Sequence, residues 1–216
     1  MEEMIKKIED AVRLEMKKQD GAHDWYHIDR VRNMALRIAE KEGGDKTLIE
    51  LAALVHDIGD RKAHENEEAG HQATYSLMQK CGVPQELADR IADIAHRVSF
   101  KGVGVPDDML TLEGKIVQDA DRLDAIGAIA IARVFTWGGL KGRPMYDPNV
   151  PVFNANTPDE YYAKGGRTSI NHFYEKLLHL KDRIHTATAR EVAEHRHAYM
   201  KKYVLQFLDE WEAKDQ

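Results

Sequence analysis

Apolar residues recur every three or four positions along almost the whole chain of 216 residues. In residues 3–18, for example, Ile5, Ile8, Val12 and Met16 would fall on one face of a helix. A helix with this spacing can bury that face against its neighbours. Five stretches show this spacing clearly, at residues 3–18, 24–41, 46–58, 170–185 and 188–213. Three further stretches are also predicted to be helical, at residues 68–80, 85–98 and 109–136. No stretch alternates apolar and polar residues for long, so the sequence predicts an all-α fold without a sheet.

Residues 137–168 are the exception, because they contain four of the six prolines and are rich in glycine. We therefore predict a long loop before the C-terminal helices. Long loops inside compact domains are often lids or binding segments. The aromatic residues Tyr146 and Phe153 favour a packed lid, although a segment that only packs against the helices stays an alternative. No composition change marks a domain boundary, so residues 1–216 are predicted to form a single domain.

The composition excludes several classes of protein. No run of 18 apolar residues exists and the N-terminus lacks a secretory pattern, so we expect no membrane association. Cys81 is the only cysteine, which excludes an intramolecular disulfide and fits a cytoplasmic location. The net charge of −6, without a basic run, argues against nucleic-acid polymers but allows small anionic substrates. The 11 histidines direct attention to metal binding or acid–base chemistry.

Two histidines lie where a metal site can form. His56 and Asp57 follow the apolar helical run LAALV and precede Gly59, so an imidazole and a carboxylate lie side by side near a helix end. His27 lies on the apolar stripe of an earlier helix. Each observation alone has a simpler explanation, since an isolated pair usually caps a helix and a lone histidine on an apolar face usually belongs to the core.

A cluster of acids in the segment DADRLD adds carboxylates to this set. Asp119, Asp121 and Asp124 lie at the front of a strongly apolar helix, where buried carboxylates are costly unless they are paired or bind a metal. Capping by Asp119 and a pair between Arg122 and Asp124 would explain the cluster equally well. Taken together, two imidazoles and two carboxylates form a ligand set for one divalent ion such as Mn, Fe, Ni, Co or Zn, and suit Mg less well.

The order of these residues resembles that of the HD-domain metal-dependent phosphohydrolases, and is most similar to the small bacterial YpgQ- and YedJ-like group. The resemblance extends from about residue 20 to 210. Its most specific segments are HDWYHIDRV, the pattern HDxxDxK beginning at His56, VSFKG, DADRLDAIGAIAIARVF, INHFYEKLLHLKDR and MKKYVLQFLDEW.

The resemblance implies an all-α HD-domain bundle with a metal-binding core at about 20–136 and C-terminal helices at about 168–213. By position, it also implies four ligands for one divalent metal ion, namely His27, His56, Asp57 and Asp121. Among the three acids of DADRLD, Asp121 is chosen because it directly precedes the basic residue, as in the family.

The resemblance further implies a hydrolase acting on small anionic nucleotides. Asp60 falls where related nucleotidases have a carboxylate that orients or deprotonates the attacking water, and Lys62 falls where a phosphate-binding cation is expected. The most specific version is pyrophosphohydrolysis of (deoxy)nucleoside triphosphates. The alternatives are a 5′-nucleotidase, a cyclic-nucleotide or alarmone phosphodiesterase, and a non-catalytic nucleotide-binding scaffold. The oligomeric state is left open, with a homodimer as one alternative.

Further substrate-binding candidates are basic or imidazole side chains outside this metal set. Arg122 can neutralise phosphate charge or pair with an acid. Lys101 stands beside glycine in SFKG, and Arg167 in GGRTS precedes a helix whose free N–H groups can face an anion. His64 and His96 can contact substrate or a second ion, although we favour a single metal.

Overall fold

The computed structural model describes residues 1–17, 24–59, 64, 66–162 and 168–214, and every regular element in these ranges is a helix. The α-helices are α1 (Glu2–Met16), α2 (Trp25–Glu42), α3 (Lys46–Val55), α4 (Glu67–Lys80), α5 (Gln85–Val98), α6 (Leu112–Asp124), α7 (Ala128–Leu140), α8 (Pro158–Tyr162), α9 (Ser169–Glu175) and α10 (Ala187–Trp211). A 3₁₀ helix, Leu177–Arg183, lies between α9 and α10. The predicted all-α fold is confirmed.

The chain divides into two compact units, of which the first comprises residues 1–99 and 107–121. Helix α3 is its centre, because seven of its ten residues are buried. Helices α1, α2 and α5 pack against α3, and α4 packs against α1 and α5. Burial of α3 on several sides explains why its sequence, KTLIELAALV, is apolar beyond one face.

Side-chain caps fix where the helices of the first unit begin. Asp45 accepts from the backbone N–H groups of Thr47 and Leu48 at the start of α3. Asp24 does the same at α2, where its carboxylate accepts from the His27 N–H at 3.0 Å. Such caps satisfy N–H groups that have no partner within the helix. The cap at Asp24 therefore also sets the position of His27 in the first turn of α2.

Helix α4 approaches the turn after His56 and Asp57 through two glycines. A Cβ atom added at Gly70 would lie 2.3 Å from the carbonyl oxygen of Gly59, and one added at Gly59 would lie 2.8 Å from that of Gly70. Neither position has room for a side chain without a backbone shift. The contact gives Gly59, which the sequence left without a role, a packing function.

The second unit comprises residues 100–106 and 122–216. Its helices α7, α9 and α10 share an aromatic cluster, in which Phe135 lies 6.3 Å from Phe173 and 6.1 Å from Phe207 between ring centroids. Tyr203 contacts all three rings. Tyr146, from the segment after α7, packs against Trp211 with ring centroids 5.3 Å apart. Tyr146 therefore packs against α10, which both loop alternatives allow.

Two predicted helices are each divided in the structure. Residues 109–136 form α6 and α7, separated by a turn in which Gly127 has a φ of +92°, a conformation that favours glycine. Residues 170–185 form α9 and the 3₁₀ helix, separated at Lys176 with φ −144° and ψ −62°. The apolar spacing continues across both breaks, so it did not reveal them.

The predicted loop at 137–168 is shorter than expected. Helix α7 continues to Leu140, where N–H groups of Lys141 and Arg143 bond the carbonyls of Trp137 and Gly138. Residues Pro158–Tyr162 form α8, whose first turn is capped by the Thr157 hydroxyl, which accepts from the Glu160 N–H at 3.2 Å. Residues 141–157 are without regular secondary structure, and a lid function for them stays a prediction.

Helix α7 belongs to the second unit together with the C-terminal helices, and the single domain stays a prediction. Within the described ranges, no single helix is long and apolar enough to cross a membrane. Only the bent pair α6 and α7 passes such a test together, by length and composition.

Candidate metal centre

Four side chains of the first unit bring their donor atoms together. His27 Nε2 lies 3.2 Å from Asp57 Oδ2 and 3.5 Å from Asp121 Oδ1. His56 Nε2 lies 3.3 Å from His27 Nε2, 3.5 Å from Asp57 Oδ1 and 3.8 Å from Asp121 Oδ1. His27, His56 and Asp57 have ligand atoms that all lie within 4.8 Å of one another, and Asp121 joins them through the two imidazoles. The structure thus brings together all four residues predicted as metal ligands.

These distances match the spacing of ligands around one ion. Atoms bound at about 2.1 Å are about 3.4 Å apart in a tetrahedron and about 3.0 Å apart at neighbouring octahedral positions. Imidazole nitrogens and carboxylate oxygens are the donors that Mn, Fe, Co, Ni and Zn accept. Two carboxylates near the same two imidazole nitrogens concentrate negative charge, which a divalent cation would neutralise. The donor set therefore fits a divalent ion.

The ring orientation of His56 is fixed by the end of helix α3. Its Nδ1 lies 2.8 Å from the carbonyl oxygen of Ala53, and because a carbonyl only accepts, Nδ1 carries the hydrogen. In the neutral ring, Nε2 then has a free lone pair directed at the cluster. Ala53 belongs to the last turn of α3, where carbonyl groups lack partners within the helix. One hydrogen bond thus completes the helix end and prepares a metal ligand.

Burial differs between the two kinds of donor. The side chains of His27 and His56 are almost fully buried, whereas that of Asp57 is 12% exposed and that of Asp121 is 25% exposed. The imidazoles therefore form the inner part of the cluster and the carboxylates its outer part. Water and a small substrate can reach such a centre from the carboxylate side.

Comparison with known proteins agrees with this geometry. The pattern of the HD domain family matches residues 24–126, which include all four ligands. YpgQ of Bacillus subtilis (strain 168) is 42% identical over 189 residues, covering 87% of this chain and 84% of that protein. The chain belongs to the HD-domain family. It is accordingly an HD-superfamily hydrolase, a metal-dependent phosphohydrolase, and the resemblance inferred from its motifs is confirmed.

Solved structures of HD proteins extend over nearly the whole chain. A protein from Lactobacillus plantarum superposes with a TM-score of 0.88 at 36% identity, covering 99% of each chain. An HD-superfamily hydrolase from Bacillus thuringiensis superposes with a TM-score of 0.73 at 42% identity, covering 98% of each. YpgQ, solved in complex with ADP, superposes with a TM-score of 0.72 at 37% identity, covering 96% of this chain and all of that one.

The structure describes only some of the residues predicted to contact substrate. Asp60, Lys62 and Arg167 lie outside the described residues. In the first unit, the His64 ring nitrogen Nε2 lies 2.7 Å from the Ile58 carbonyl oxygen. The exposed His96 on α5 faces His71 on α4, with ring centroids 6.2 Å apart. Lys101 is half-buried in the second unit. Substrate binding by these residues stays a prediction.

Arg122 has a structural environment. It is only 2% exposed, its guanidinium donates to the carbonyl of Arg183, and its Nη1 lies 3.3 Å from His185 Nε2. Asp124 lies 2.7 Å from Arg133 Nη1, and its pair with Arg122 stays a prediction. This placement favours a packing role for Arg122. It does not support a phosphate contact, which stays a prediction.

The structure also identifies contributors that the sequence analysis did not name. Asp24 positions His27, and a signal for it existed, since aspartate directly before a helix is a common N-cap. The Ala53 carbonyl carried no signal, because a backbone acceptor depends on where the helix ends.

Proposed function

We propose that the protein hydrolyses nucleoside triphosphates, deoxynucleotides included, at the α-phosphorus, releasing a nucleoside monophosphate and pyrophosphate. The observation that carries the hydrolytic part is that donor atoms of Asp57 and Asp121 each lie 3.2–3.8 Å from the Nε2 atoms of His27 and His56. The nucleotide part is supported by the relative YpgQ, which has been solved with ADP.

His27, His56, Asp57 and Asp121 would hold a divalent ion, which would supply Lewis acidity to a phosphoryl oxygen and to the attacking water. In this proposal, Asp60 accepts a proton from that water as its oxygen bonds to the α-phosphorus. The bond from the α-phosphorus to the bridging oxygen breaks, and the electron pair leaves with pyrophosphate. Lys62 offsets the charge of the phosphates, since phosphoryl transfer depends mainly on positioning and electrostatics.

The alternatives differ in the bond that is broken. A 5′-nucleotidase releases orthophosphate from monophosphates, and a cyclic-nucleotide phosphodiesterase opens a ring without releasing either phosphate. An alarmone hydrolase releases pyrophosphate only from alarmones. A non-catalytic scaffold releases nothing. A cytoplasmic location and a homodimer also stay predictions.

The test is turnover of a nucleotide panel with Mn²⁺, detecting pyrophosphate and orthophosphate separately. Asp57→Ala removes a ligand and is expected to abolish turnover and metal retention. Asp93→Ala is the matched control, because Asp93 is an exposed aspartate of the same unit that pairs only with Arg97 among the described residues. Pyrophosphate from triphosphates, lost in Asp57→Ala alone, is the expected result. Orthophosphate from monophosphates, or no product with any of Mn, Ni, Co, Fe, Zn and Mg, would refute the proposal.

A further inference from the structure

The solvent-exposed side of α10 carries a stripe of residues at coiled-coil spacing. With 25 residues, α10 is the longest helix in the described ranges. Alternating steps of four and three residues connect the members of the stripe, and such steps place residues on one face of a helix. All five members are exposed, namely Ala198, Lys202, Leu205, Asp209 and Glu212. We call these five residues the α10 seam.

An apolar residue lies at the middle of the α10 seam. Leu205 is 53% exposed, whereas Met200 and Val204 on the other side of the helix are buried. Tyr199 and Trp211, which are 58% and 47% exposed, lie on the two flanks of the seam by helical geometry. Single exposed leucines are common on protein surfaces. The charges beside Leu205 therefore decide whether this face fits a partner.

The two charges nearest Leu205 in the seam have no counterpart within the helix. Lys202 has no acidic residue, and Asp209 no basic residue, three or four positions away, where side chains of a helix meet. Among the residues that the structure describes, neither Lys202 nor Asp209 forms an ion pair. Lys214 acts on Asp209 only from a distance, since its ammonium is paired with Glu212. The seam thus offers one cation and one anion to a partner.

A second copy of α10 supplies the matching charges if it lies antiparallel to the first. Lys202 and Asp209 are seven residues apart, which is almost two full turns, so both lie on the same side of the seam. At 1.5 Å per residue, each is about 5 Å along the helix from a point beside Leu205. A two-fold axis through that point brings Lys202 of each copy to Asp209 of the other, and the two Leu205 side chains together. A parallel pair would place like charges opposite each other, which is unfavourable.

We propose that the α10 seam is the contact surface of a weak homodimer, in which α10 packs antiparallel against α10 of a second copy. Two symmetric pairs of Lys202 with Asp209 flank the central pair of Leu205 side chains. The small Ala198 leaves room for Glu212 of the second copy. A single helix pair is smaller than the interfaces of stable dimers, which bury about 1,200–2,000 Å², so association is expected to depend on protein concentration. This surface belongs to the second unit, and the proposal does not depend on the proposed hydrolysis.

The experiment measures the molar mass of the full chain by sedimentation equilibrium over a range of protein concentrations. The wild type is expected to change from monomer to dimer as the concentration rises. Lys202→Glu places like charges opposite each other and is expected to weaken dimerisation about tenfold or more. Adding Asp209→Lys to this variant restores opposite charges at the original net charge, and is expected to return the Kd to within about threefold of the wild type. Lys80→Glu, at an exposed position of α4, is the matched control and is expected to stay within about twofold.

Oxidative cross-linking tests the antiparallel arrangement separately. The background is Cys81→Ala, because Cys81 is the only cysteine of the chain. In this background, Leu205→Cys is expected to form a disulfide between copies, since the two copies of this position meet beside the axis. Lys202→Cys is expected not to cross-link, because its two copies lie about 10 Å apart along the helix direction.

Four results would overturn the proposal. The first is a wild type that stays monomeric at every concentration, which leaves the seam in contact with solvent alone. The second is a dimer that Lys202→Glu leaves intact, which indicates another surface. The third is a charge-exchanged double variant that stays monomeric, or a loss of dimer in Lys80→Glu equal to that in Lys202→Glu, either of which indicates general electrostatic repulsion. The fourth is cross-linking of Lys202→Cys as readily as Leu205→Cys, which indicates a parallel pair.

Discussion

The contact between Gly59 and Gly70 leads to a prediction in which replacement of glycine by alanine has opposite effects on the free energy of unfolding at two sites. Gly70→Ala adds a methyl group 2.3 Å from the Gly59 carbonyl oxygen, which is backbone and cannot rotate away. Gly139→Ala, near the end of α7, adds the same methyl where no atom lies within 4 Å. Both sites are helical, so helix propensity favours alanine at both.

The magnitudes follow from these two surroundings. Overpacking of this kind costs about 1–3 kcal/mol, and alanine recovers up to about 1 kcal/mol of helix propensity. Gly70→Ala is therefore expected to lower the free energy of unfolding by about 1–2 kcal/mol. For a chain of this size that corresponds to a fall in Tm of about 2–8 °C. Gly139→Ala is expected to raise the free energy of unfolding by up to about 1 kcal/mol.

The assay is thermal and denaturant unfolding of both variants beside the wild type. Because Gly59 lies two positions after the ligand Asp57, we also expect weaker metal binding in Gly70→Ala, read as a smaller rise in Tm on adding Mn²⁺. Gly139→Ala should show the wild-type rise. The reasoning is refuted if Gly70→Ala is as stable as Gly139→Ala, because α4 would then adjust to the methyl group without strain.

Three further predictions concern charged and titrating groups. A divalent ion at about a hundredfold excess over its Kd adds about 2.7 kcal/mol of stability. Asp121→Asn should reduce this gain and, because it removes one of two neighbouring negative charges, should raise the Tm of the chelator-treated protein. An unchanged Tm after chelator treatment would show that carboxylate repulsion is unimportant. The hydrogen bond to Asp89 raises the pKa of Tyr75 to about 12, so the contribution of this hydrogen bond to stability is complete below pH 10 and is lost as the pH rises towards 12. In an ultraviolet titration, Asp89→Ala should lose one late-titrating phenol, and an unchanged curve would contradict this. Arg122→Lys should leave the Arg183 carbonyl poorly satisfied and lower stability by about 1–3 kcal/mol, whereas an unchanged Tm with a raised KM would restore the phosphate-binding alternative.

The helices of the first unit were largely predictable, because their apolar residues recur at helical spacing, even in α3, which is buried on more than one face. The break between α6 and α7 was not, since apolar residues continue through Gly127 and the chain turns there against the side chain of Arg196. Helix α8 was foreseeable, because Thr157, Pro158 and Glu160 form a common helix-start pattern that the proline-rich surroundings obscured.

The four predicted ligands were recognisable in the sequence as a set, and the structure adds that their side chains converge. His27, His56 and Asp57 have residue types and positions that indicate a ligand set, and the family resemblance selected Asp121. The hydrogen-bond acceptor of Arg122 could not be predicted from the sequence, because this backbone carbonyl belongs to a residue 61 positions further along the chain. The local pattern pointed to Asp124 as a partner and gave no sign of this distant carbonyl.

A metal ion held by the four predicted ligands would also cross-link the chain. His27 and His56 are 29 positions apart, and Asp121 is farther from His56 than that. An ion that holds all three closes two successive loops, and loop closure in an unfolded chain is opposed by entropy. Because metal sites rarely exist before folding, the binding energy of the ion is available to offset that entropy. An ion bound for catalysis would thus also hold the early and late parts of the first unit together.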